Sequence, residues 1–344
     1  MSQEGASARA TLMDVARRAE VSLKTASRAL NGEPYVTEAT RSRVIEAASA
    51  LGYERNAAAT LLASGHRSDT VGLITGDLSN PFYSMLAGGM ESVLRERGMH
   101  LSVASSAESP EHEWSLATGL ADAQARAIVV ASSMRDHAPY AALHARGIPL
   151  VFVDRPPVGI DADAMVFDDV EGGRLAGVHL LQGGHRRIAF LGDFDWLSTS
   201  RGRLTGIGDV LRAAVAEVGG AESQFSVRMG VHDAAAATAV VAEMLALADP
   251  PTAIVAGNNR IMLGASAHLR HLPESERPAL LGFDDFEWAE VIGATVVTGQ
   301  TDRMGEVAAQ RALARMADRE SASARTVLPM RLIARGSAER PPRG

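Results

Sequence analysis

TLMDVARRAEVSLKTASRALN, at residues 11–31, is the stretch that decides the fold, because its pattern predicts two short helices joined by a tight turn. Thr11 caps the first helix, in which apolar residues recur at helical spacing. Val21 fills the corner between the helices, and Ser22 caps the second one. The second helix has an inward face that includes Ala26 and an outward polar face. The stretch therefore predicts a helix-turn-helix with one exposed helix.

A third helix completes this unit. Thr37 is its N-cap, Val44 and Leu51 lie on its buried side, and Gly52 ends it. Three helices of this size make a small all-α bundle of the kind that binds DNA. We assign residues 1–55 to this headpiece.

A fourth, very short helix is predicted beyond the headpiece, in NAAATLLAS at residues 56–64 with Asn56 as its cap. Helices shorter than about 12–15 residues are marginal in water, so this one needs another contact to hold it. Gly65 to Ser68 have the composition of a linker. We therefore interpret residues 56–68 as a hinge helix and linker.

From residue 70 onward, short β-branched runs alternate with amphipathic helices. Strands are predicted at 71–75, 101–105, 127–132, 150–154, 187–192, 253–257 and 279–283, and helices at 84–97, 170–182, 203–218 and 301–318. Such alternation predicts parallel sheets covered by helices on both faces. The pattern is too long for one doubly wound unit and indicates two lobes.

Composition is typical of a soluble globular protein. The chain has 344 residues, 46% of them hydrophobic, and a mean hydropathy of +0.00. No apolar run approaches the ~18 residues of a membrane span, and residues 1–10 lack the apolar core of a signal peptide. Because cysteine is absent, disulfides, thiolate catalysis and cysteine-ligated metal sites are excluded. We expect a cytoplasmic protein with no membrane partner.

The net charge of -7 is unevenly distributed along the chain. Through Arg67 there are nine Lys and Arg against seven Asp and Glu, whereas the remainder has 25 against 34. The direction of this asymmetry suits a DNA-binding module attached to an acidic domain.

Five further motifs follow residues 11–65 in a fixed order: SNPFY (79–83), VDR (153–155), STSRGRLTG (198–206), GNNRIMLGA (257–265) and GFDD (282–285). In this order and spacing the chain resembles the lactose-repressor/galactose-repressor (LacI/GalR) family along essentially its whole length. The resemblance implies a multidomain protein, with an all-α helix-turn-helix headpiece and an α/β two-lobed periplasmic-binding-protein-like sensor domain at 69–340. The implied N-terminal lobe comprises about 69–166 and 299–326, and the C-terminal lobe about 167–298 and 327–340.

The resemblance also implies how operator DNA is read. By matching position, Leu23, Lys24 and Arg28 meet base edges in the major groove, and an arginine fork suits guanine O6 and N7. Leu62 matches the residue that hinge helices wedge into the minor groove, although packing of Leu61 or Leu62 on the sensor domain is an open alternative. The implied DNA-binding set is Ser22, Leu23, Lys24, Thr25, Ser27, Arg28, Asn31, Asn56 and Leu62.

A small ligand is expected in the cleft between the lobes, since ligands bind at the carboxyl ends of parallel strands. The positions that match the family are Phe82, Tyr83, Asp154, Arg201, Asn258 and Asp284, with Trp288 as a further stacking surface. A guanidinium, an amide, carboxylates and aromatic rings suit a polyhydroxylated ligand, such as a sugar or sugar derivative. Each of these residues alone could instead cap a helix or form an ion pair.

Two positions depart from the family pattern. Glu20 stands where the turn usually has glycine, and a residue forced into left-handed geometry costs about 1–2 kcal/mol. Arg55 stands where proline usually precedes the hinge-helix cap. Both departures concern the stability of the headpiece and hinge.

These features predict a transcriptional regulator, a repressor, that binds a pseudo-palindromic operator as a homodimer under allosteric control by the ligand. The alternative is a sugar-binding protein without a DNA role, which the headpiece and the missing signal peptide disfavour. An enzyme is not expected, because no GxGxxG follows the first strand and no catalytic or metal-spaced histidine set emerges. His100, His185 and His232 are interpreted as surface or loop residues, and no cofactor or metal is expected.

Overall fold

The computed structural model describes residues 10–53, 68–218 and 224–342. The chain forms two compact units, Met1–Arg67 and Ser68–Gly344. The predicted hinge helix, including Asn56 and Leu62, lies outside the described residues, as does Arg55. No helix within the described part of the chain is long and apolar enough to cross a membrane.

The first unit contains the three predicted helices, α1 (Leu12–Arg18), α2 (Leu23–Leu30) and α3 (Glu38–Ala50). Each begins after a hydroxyl side chain that accepts a backbone N–H bond, which satisfies a donor that the helix itself cannot. A small core of Val15, Ala26, Ala29 and Val44 lies between them, with Val21 packed at the corner. The alanines allow the short helices to approach closely.

The second unit has two lobes, each built on a six-stranded sheet. In the first, the N-lobe, all neighbouring strands are parallel in the order β11-β5-β4-β3-β1-β2. The strands are β1 (Thr70–Thr75), β2 (His100–Ser105), β3 (Ala127–Val130), β4 (Leu150–Val153), β5 (Asp163–Phe167) and β11 (Arg325–Leu328). The helices of this lobe are α4 (Pro81–Arg95), α5 (Pro110–Asp122), α6 (Ala141–Ala145) and α12 (Thr301–Ala317).

The C-lobe sheet has the order β12-β10-β9-β8-β6-β7 and is parallel except for the edge pair of β10 with β12. Its strands are β6 (Arg187–Leu191), β7 (Gln224–Arg228), β8 (Ala253–Ala256), β9 (Ala279–Phe283), β10 (Thr295–Thr298) and β12 (Arg331–Ile333). Its helices are α7 (Asp169–Gln182), α8 (Ser198–Val218), α9 (Ala234–Leu245), α10 (Asn259–Leu269) and α11 (Glu287–Val291). The described chain passes between the lobes three times, after β5, β10 and β11.

Central strands of both sheets are buried along their whole length, as their continuous apolar runs predict. Each of the seven predicted strands is present within two residues of its expected bounds. Five further strands, β5, β7, β10, β11 and β12, had no counterpart in the prediction. Because parallel strands end at one edge of each sheet, loops from both lobes converge there and form a cleft.

Candidate functional site

The outer face of α2 carries the predicted DNA-reading side chains. Ser22, Leu23 and Lys24 are exposed, with Leu23 48% accessible. The Ser22 hydroxyl accepts a hydrogen bond from the Thr25 backbone N–H at 3.1 Å and lies 2.8 Å from its hydroxyl. Ser27 is partly exposed on the same helix. The start of α2 thus presents polar groups and one exposed leucine to solvent.

Arg28 lies on this helix and forms an ion pair with Glu33, with 3.4 Å between Nε and Oε2. Both side chains are about two-fifths exposed, so the pair is weak and its guanidinium can exchange Glu33 for another acceptor. Arg41 holds the end of α2 by donating to the carbonyl oxygens of Ala29 and Glu33 at 2.8 Å each. Asn31, the C-cap of α2, is also exposed.

The cleft of the second unit is lined by charged and polar side chains from both lobes. The N-lobe contributes Asp77, Asn80, Phe82, Tyr83, Glu108, Asp154 and Arg155, and the C-lobe contributes Asp193, Arg203, His232, Asn258, Arg260 and Asp284 among others. Five of the seven predicted ligand contacts are therefore brought together here: Phe82, Tyr83, Asp154, Asn258 and Asp284.

Arg203 is the central cation of the C-lobe side and is only 4% exposed. It donates to the carboxylate of Asp169 at 2.8 Å and to the carbonyl oxygen of Gly257 at 2.7 Å. A third nitrogen is 3.7 Å from Asp284, and the guanidinium lies over the Phe283 ring at 4.5 Å. The contacts with Asp169, Gly257 and Asp284 fix the Arg203 side chain. Its guanidinium is therefore already oriented to donate to a ligand oxygen.

Asp154 and Asp284 occupy matching positions, each directly after a central strand of its own lobe. Both have left-handed backbones, with φ of 67° and 70°. Aspartate adopts this geometry more readily than most residues, and it turns each carboxylate toward the cleft lining. Burial raises the pKa of Asp154 to about 7 and raises that of Asp284, against the lowering effect of Arg203 on both.

Arg155 connects several residues on the N-lobe side of the cleft. It makes a bidentate pair with Glu108 at 2.7 and 2.8 Å and donates to the carbonyl oxygen of Ser132 at 2.9 Å. The Tyr83 hydroxyl is within 3.4 Å, and burial raises the pKa of Tyr83, so this phenol is un-ionised. Phe82 packs edge-on against Tyr83, which places an aromatic wall beside these charges.

Contacts between the lobes close the cleft in this structure. Arg260 donates to Asp77 at 2.7 Å and to the Ser79 hydroxyl at 2.6 Å, while the Asn259 amide donates to Asn80 at 2.6 Å. The remaining cavity is about 60 Å³. Ligand pockets usually measure ~300–1,000 Å³, so these contacts must separate before a ligand of ordinary size enters.

Asn258 is held in two directions. Its Oδ1 accepts from the Ile261 N–H at 2.9 Å, which caps α10, and its Nδ2 donates to Asp193 at 2.9 Å. His232 also bonds Asp193 at 2.9 Å, and this hydrogen bond raises the pKa of His232. His232 is therefore a cleft residue with a carboxylate partner, rather than only a surface or loop residue. His185 is likewise not on the surface, since it is fully buried.

Arg201 lies outside this cleft, contrary to the prediction, and Arg203 takes the place expected for it. The two residues are two positions apart on α8 and so project from different sides of the helix. Arg201 is exposed, whereas Arg203 is buried. The motif STSRGRLTG contains both arginines, and its helical register is the signal that separates them.

Trp288 also lies outside the cleft. It stacks with Phe286, with 6.4 Å between ring centroids, and packs against the hydrophobic core of the C-lobe. Trp288 thus packs in the C-lobe instead of providing the stacking surface that the sequence predicted for the ligand.

The cleft as a whole offers rigid donors and acceptors of both charges beside aromatic rings, a combination that suits a ligand rich in hydroxyl groups. No group of three or more His, Asp or Glu side chains in the described residues could hold a metal ion. The predicted ligand contacts did not include Arg155, Glu108, Asp193 and Arg260, which line the cleft. Two of these residues, Arg155 and Arg260, fall within the motifs VDR and GNNRIMLGA.

Comparisons with known proteins agree with this architecture in both units. Residues 11–56 match the family described as bacterial regulatory proteins, lacI family. Residues 68–277 match the periplasmic binding proteins and sugar binding domain of LacI family.

Two curated relatives match over nearly the whole chain. The HTH-type transcriptional regulator GalR of Escherichia coli (strain K12) is 31% identical over 336 residues, which cover 96% of each chain. The HTH-type transcriptional regulator CelR of Thermobifida fusca is 31% identical over 343 residues, covering 96% of this chain and 98% of CelR.

Two solved structures share the fold. The complex of the transcriptional regulator CelR with cellobiose is 29% identical, with a TM-score of 0.68, and the match covers 96% of this chain and 100% of that one. The lac repressor dimer bound to operator and the anti-inducer ONPF is 23% identical, with a TM-score of 0.77, and the match covers 96% and 99%. At that identity the lac repressor supports the fold alone.

Proposed function

Because the chain belongs to the LacI family of bacterial regulatory proteins, we propose that α2 reads an operator and that the cleft holds a polyhydroxylated, sugar-like ligand that controls this reading. The protein is a DNA-binding transcriptional regulator rather than an enzyme. We further propose that it acts as a repressor in the cytoplasm and that two copies bind a pseudo-palindromic site, since a two-fold protein requires matching half-sites.

The observation that carries the ligand proposal is the setting of Arg203. This buried guanidinium is fixed by Asp169 and Gly257 and lies 3.7 Å from Asp284, at the carboxyl ends of the C-lobe strands. Asp154 faces the same cleft from the N-lobe. Carboxylates accept from ligand hydroxyls, a guanidinium donates to ring or hydroxyl oxygens, and Phe82 and Tyr83 supply apolar surface. The solved complex of CelR contains cellobiose, which supports a saccharide as the ligand class.

For DNA, the support is the exposed polar face of α2. We propose that Leu23, Lys24 and Arg28 on this face meet base edges and that Ser22, Thr25, Ser27 and Asn31 help to anchor the helix to the DNA. Asn56 and Leu62 complete the proposed DNA-binding set through the hinge. These two residues lie outside the described part of the chain, so their proposed role rests on the family.

Control of DNA binding by the ligand requires a two-state element that both sites bias. We propose that closure of the lobes is this element, because Arg260 and Asn259 contact the N-lobe directly across the cleft. A ligand that changes the separation of the lobes would change how the two headpieces of a dimer are presented to the half-sites.

The experiment is a pair of binding measurements on the full chain. A random-sequence duplex library is selected against the protein at low salt, and the selected duplex is then titrated against wild type, Arg28→Gln and Arg43→Gln, an exposed arginine of α3 outside the predicted set. A base-reading Arg28 predicts a loss of about 1–3 kcal/mol for Arg28→Gln, with relaxed base preference at one position per half-site. Equal affinities for all three proteins, or no duplex retained, would overturn the assignment of α2.

The ligand half of the proposal is tested by thermal shift against neutral mono- and disaccharides. A ligand that binds only the folded state raises the melting temperature, and we expect at least one saccharide to do so. Arg203→Gln should abolish that shift while the affinity for the selected duplex is retained. A shift that persists in Arg203→Gln would remove this residue from the site.

A further inference from the structure

A second cavity of about 420 Å³ adjoins the cleft and is distinct from it in chemistry. It lies between the loops that follow β3 and β4 in the N-lobe and the start of α8 in the C-lobe. Arg155 and Leu197 line both spaces, so the two are neighbours across a shared wall. We call this space the basic cavity.

The charges of the two spaces are opposite in balance. The basic cavity is lined by Arg135, Arg155 and Arg201, with no aspartate or glutamate in its described lining. The described lining of the cleft has five carboxylates, Asp77, Glu108, Asp154, Asp193 and Asp284, against three arginines, Arg155, Arg203 and Arg260. A ligand that spans both spaces therefore meets groups of both charges at one end and only cationic charge at the other.

Two of the three arginines in the basic cavity are not neutralised by protein. Across the described residues, the guanidinium groups of Arg135 and Arg201 make no hydrogen bond or ion pair with the chain, whereas Arg155 is paired with Glu108 at 2.7 Å. Arg135 lies over the Trp196 ring, 5.9 Å from its centroid. Trp196 also lies 5.7 Å from Arg155 and is stacked on Phe194, so its orientation is supported from two sides.

A buried imidazole nitrogen without a partner lies in the same wall. His137 lines the basic cavity and is 2% exposed, and its Nδ1 accepts from the Val158 N–H at 2.8 Å. The same Nδ1 is 3.3 Å from the carbonyl oxygen of Val158, whereas Nε2 has no hydrogen-bond partner in the described structure. A buried polar atom without a partner is costly, and a polar group of a ligand would satisfy it.

We infer that the basic cavity binds an anionic group, a phosphate or a carboxylate, of a ligand whose hydroxylated part occupies the cleft. Arg135 and Arg201 provide the positive charge that pairs with the anionic group. Trp196 packs against the part of the ligand that joins its anionic and hydroxylated ends. The inference rests on the proposed saccharide function of the cleft and narrows it to acidic or phosphorylated sugars. It also gives Arg201 a role different from the one its motif predicted, as a contact for the anionic end.

The test is calorimetric titration of the full chain with matched sets: a neutral hexose, its 6-phosphate and its uronate, for glucose, galactose and mannose. We expect one anionic member to bind at least about tenfold more tightly than its neutral parent, as charge-assisted bonds to arginine provide. The phosphate and uronate arms identify which anion is preferred. Arg135→Gln/Arg201→Gln should lose this preference and retain the affinity for the neutral parent, and Arg95→Gln, an exposed arginine on α4, should behave as wild type.

Two results would overturn the inference: neutral parents that bind as tightly as their anions, or a preference for the anion that survives in Arg135→Gln/Arg201→Gln. A separate arm titrates inorganic phosphate and follows tryptophan fluorescence, with Trp196→Phe to identify the responding ring. If no hexose binds but phosphate perturbs Trp196 in wild type and not in Arg135→Gln/Arg201→Gln, the saccharide function fails and the anion site stands. If phosphate also has no effect, both fail.

Discussion

Glu20 is held in left-handed backbone geometry, with φ of 52°, at the turn between α1 and α2. Its side chain is exposed, and its backbone N–H donates to the carbonyl oxygen of Arg17, so the turn itself enforces the geometry. A non-glycine residue in this region costs about 1–2 kcal/mol. We predict that Glu20→Gly stabilises the headpiece by about 1 kcal/mol, part of the relief being offset by the greater freedom of glycine in the unfolded chain.

Hydrogen exchange of the amides of α1 to α3 in the full chain measures this effect. Glu20→Ala is the control, because alanine removes the side chain but retains the strained backbone. Equal protection in Glu20→Gly and Glu20→Ala would show that backbone strain at this turn is not what limits the headpiece.

Asp154 predicts a pH dependence of stability. Burial raises its pKa to about 7, above the ordinary value of 3.8, so the folded protein binds a proton that the unfolded chain releases near pH 4. Its contribution to the free energy of unfolding is therefore fully present below pH 4 and is lost as pH rises to about 7. Asp154→Asn, which tolerates the same backbone geometry, should be more stable than wild type at pH 8 by at least about 1 kcal/mol.

Urea unfolding at pH 5 and pH 8 measures this difference, with Asp195→Asn as the control because Asp195 is exposed near the same cleft. We expect the stability gain of Asp154→Asn to shrink at pH 5. A gain that is the same at both pH values would contradict a raised pKa at this position.

Residue-level prediction from the sequence was limited by helical register. The motif around 198–206 was found, but Arg201 was chosen where Arg203 occupies the cleft, since the motif alone does not say which side of α8 faces inward. Trp288 shows the same limit, because an aromatic side chain near a site can equally pack in the core. Asp154 and Asp284 were easier to predict as cleft residues, because each directly follows a buried strand whose end determines where the next residue lies.

At the scale of elements, the position of Arg203 depends on close packing of α7 against α8. A Cβ built on Gly206 would lie 1.9 Å from the carbonyl oxygen of Val170, and one on Gly173 would lie 2.2 Å from that of Arg203 itself. Backbone atoms cannot retreat as a flexible side chain does. The two glycines thus allow α7 and α8 to pack closely, and this packing determines where α8 lies relative to the cleft.

We predict that Gly206→Ala displaces α8, lowers the free energy of unfolding by about 1–3 kcal/mol and weakens ligand binding. Gly208→Ala is a matched control on the same helix, because its Cβ would meet only the flexible end of Arg212 at 3.1 Å. Alanine is the better helix former, so Gly208→Ala should be neutral or stabilising. Chemical denaturation and calorimetry measure both, and equal effects of the two variants would refute the packing argument.

Strand prediction succeeded for six central strands and for the edge strand β2, and it failed at the others for physical reasons. The edge strand β7 is partly exposed, and its sequence QFSVR mixes polar with apolar residues. The strands β10 (TVVT), β11 (RTVL) and β12 (RLI) begin with threonine or arginine, so they lack the continuous apolar run that identified β3, β4 and β8, which are of similar length. β5 is fully buried, but its DAMVF begins with an aspartate that pairs with Arg315, a contact invisible in sequence.

At the scale of the whole molecule, the contacts across the cleft predict the kinetics of ligand entry. Arg260 and Asp77 are each about one-third exposed, so their ion pair contributes roughly 0.2–1 kcal/mol to the closed arrangement. Arg260→Gln should therefore raise the ligand association rate up to about fivefold, since entry requires the lobes to separate. Arg303→Gln is the control, because it breaks an exposed pair with Glu306 inside one helix.

Stopped-flow fluorescence with a saccharide that raises the melting temperature measures these rates. An unchanged association rate in Arg260→Gln would mean that this pair does not limit entry.

The division into a helical headpiece and a two-lobed α/β unit followed from the sequence because each has its own period and cap signals. The sequence did not predict which side chains meet across the cleft. Asn80 and Asn259, for example, are 179 positions apart, and their contact depends on how the two lobes close. Local pattern determines the elements, whereas the cleft is a property of their assembly.

The central claim is that occupancy of the cleft changes the affinity of α2 for DNA. Its most direct test is titration of the selected duplex with the full chain, with and without a saturating saccharide that raises the melting temperature, in wild type and Arg203→Gln. We predict that the saccharide changes the affinity of wild type at least about fivefold and leaves Arg203→Gln unchanged, although both bind the duplex alone. An affinity that is the same with and without the saccharide in wild type, or an equal response in Arg203→Gln, would contradict the account.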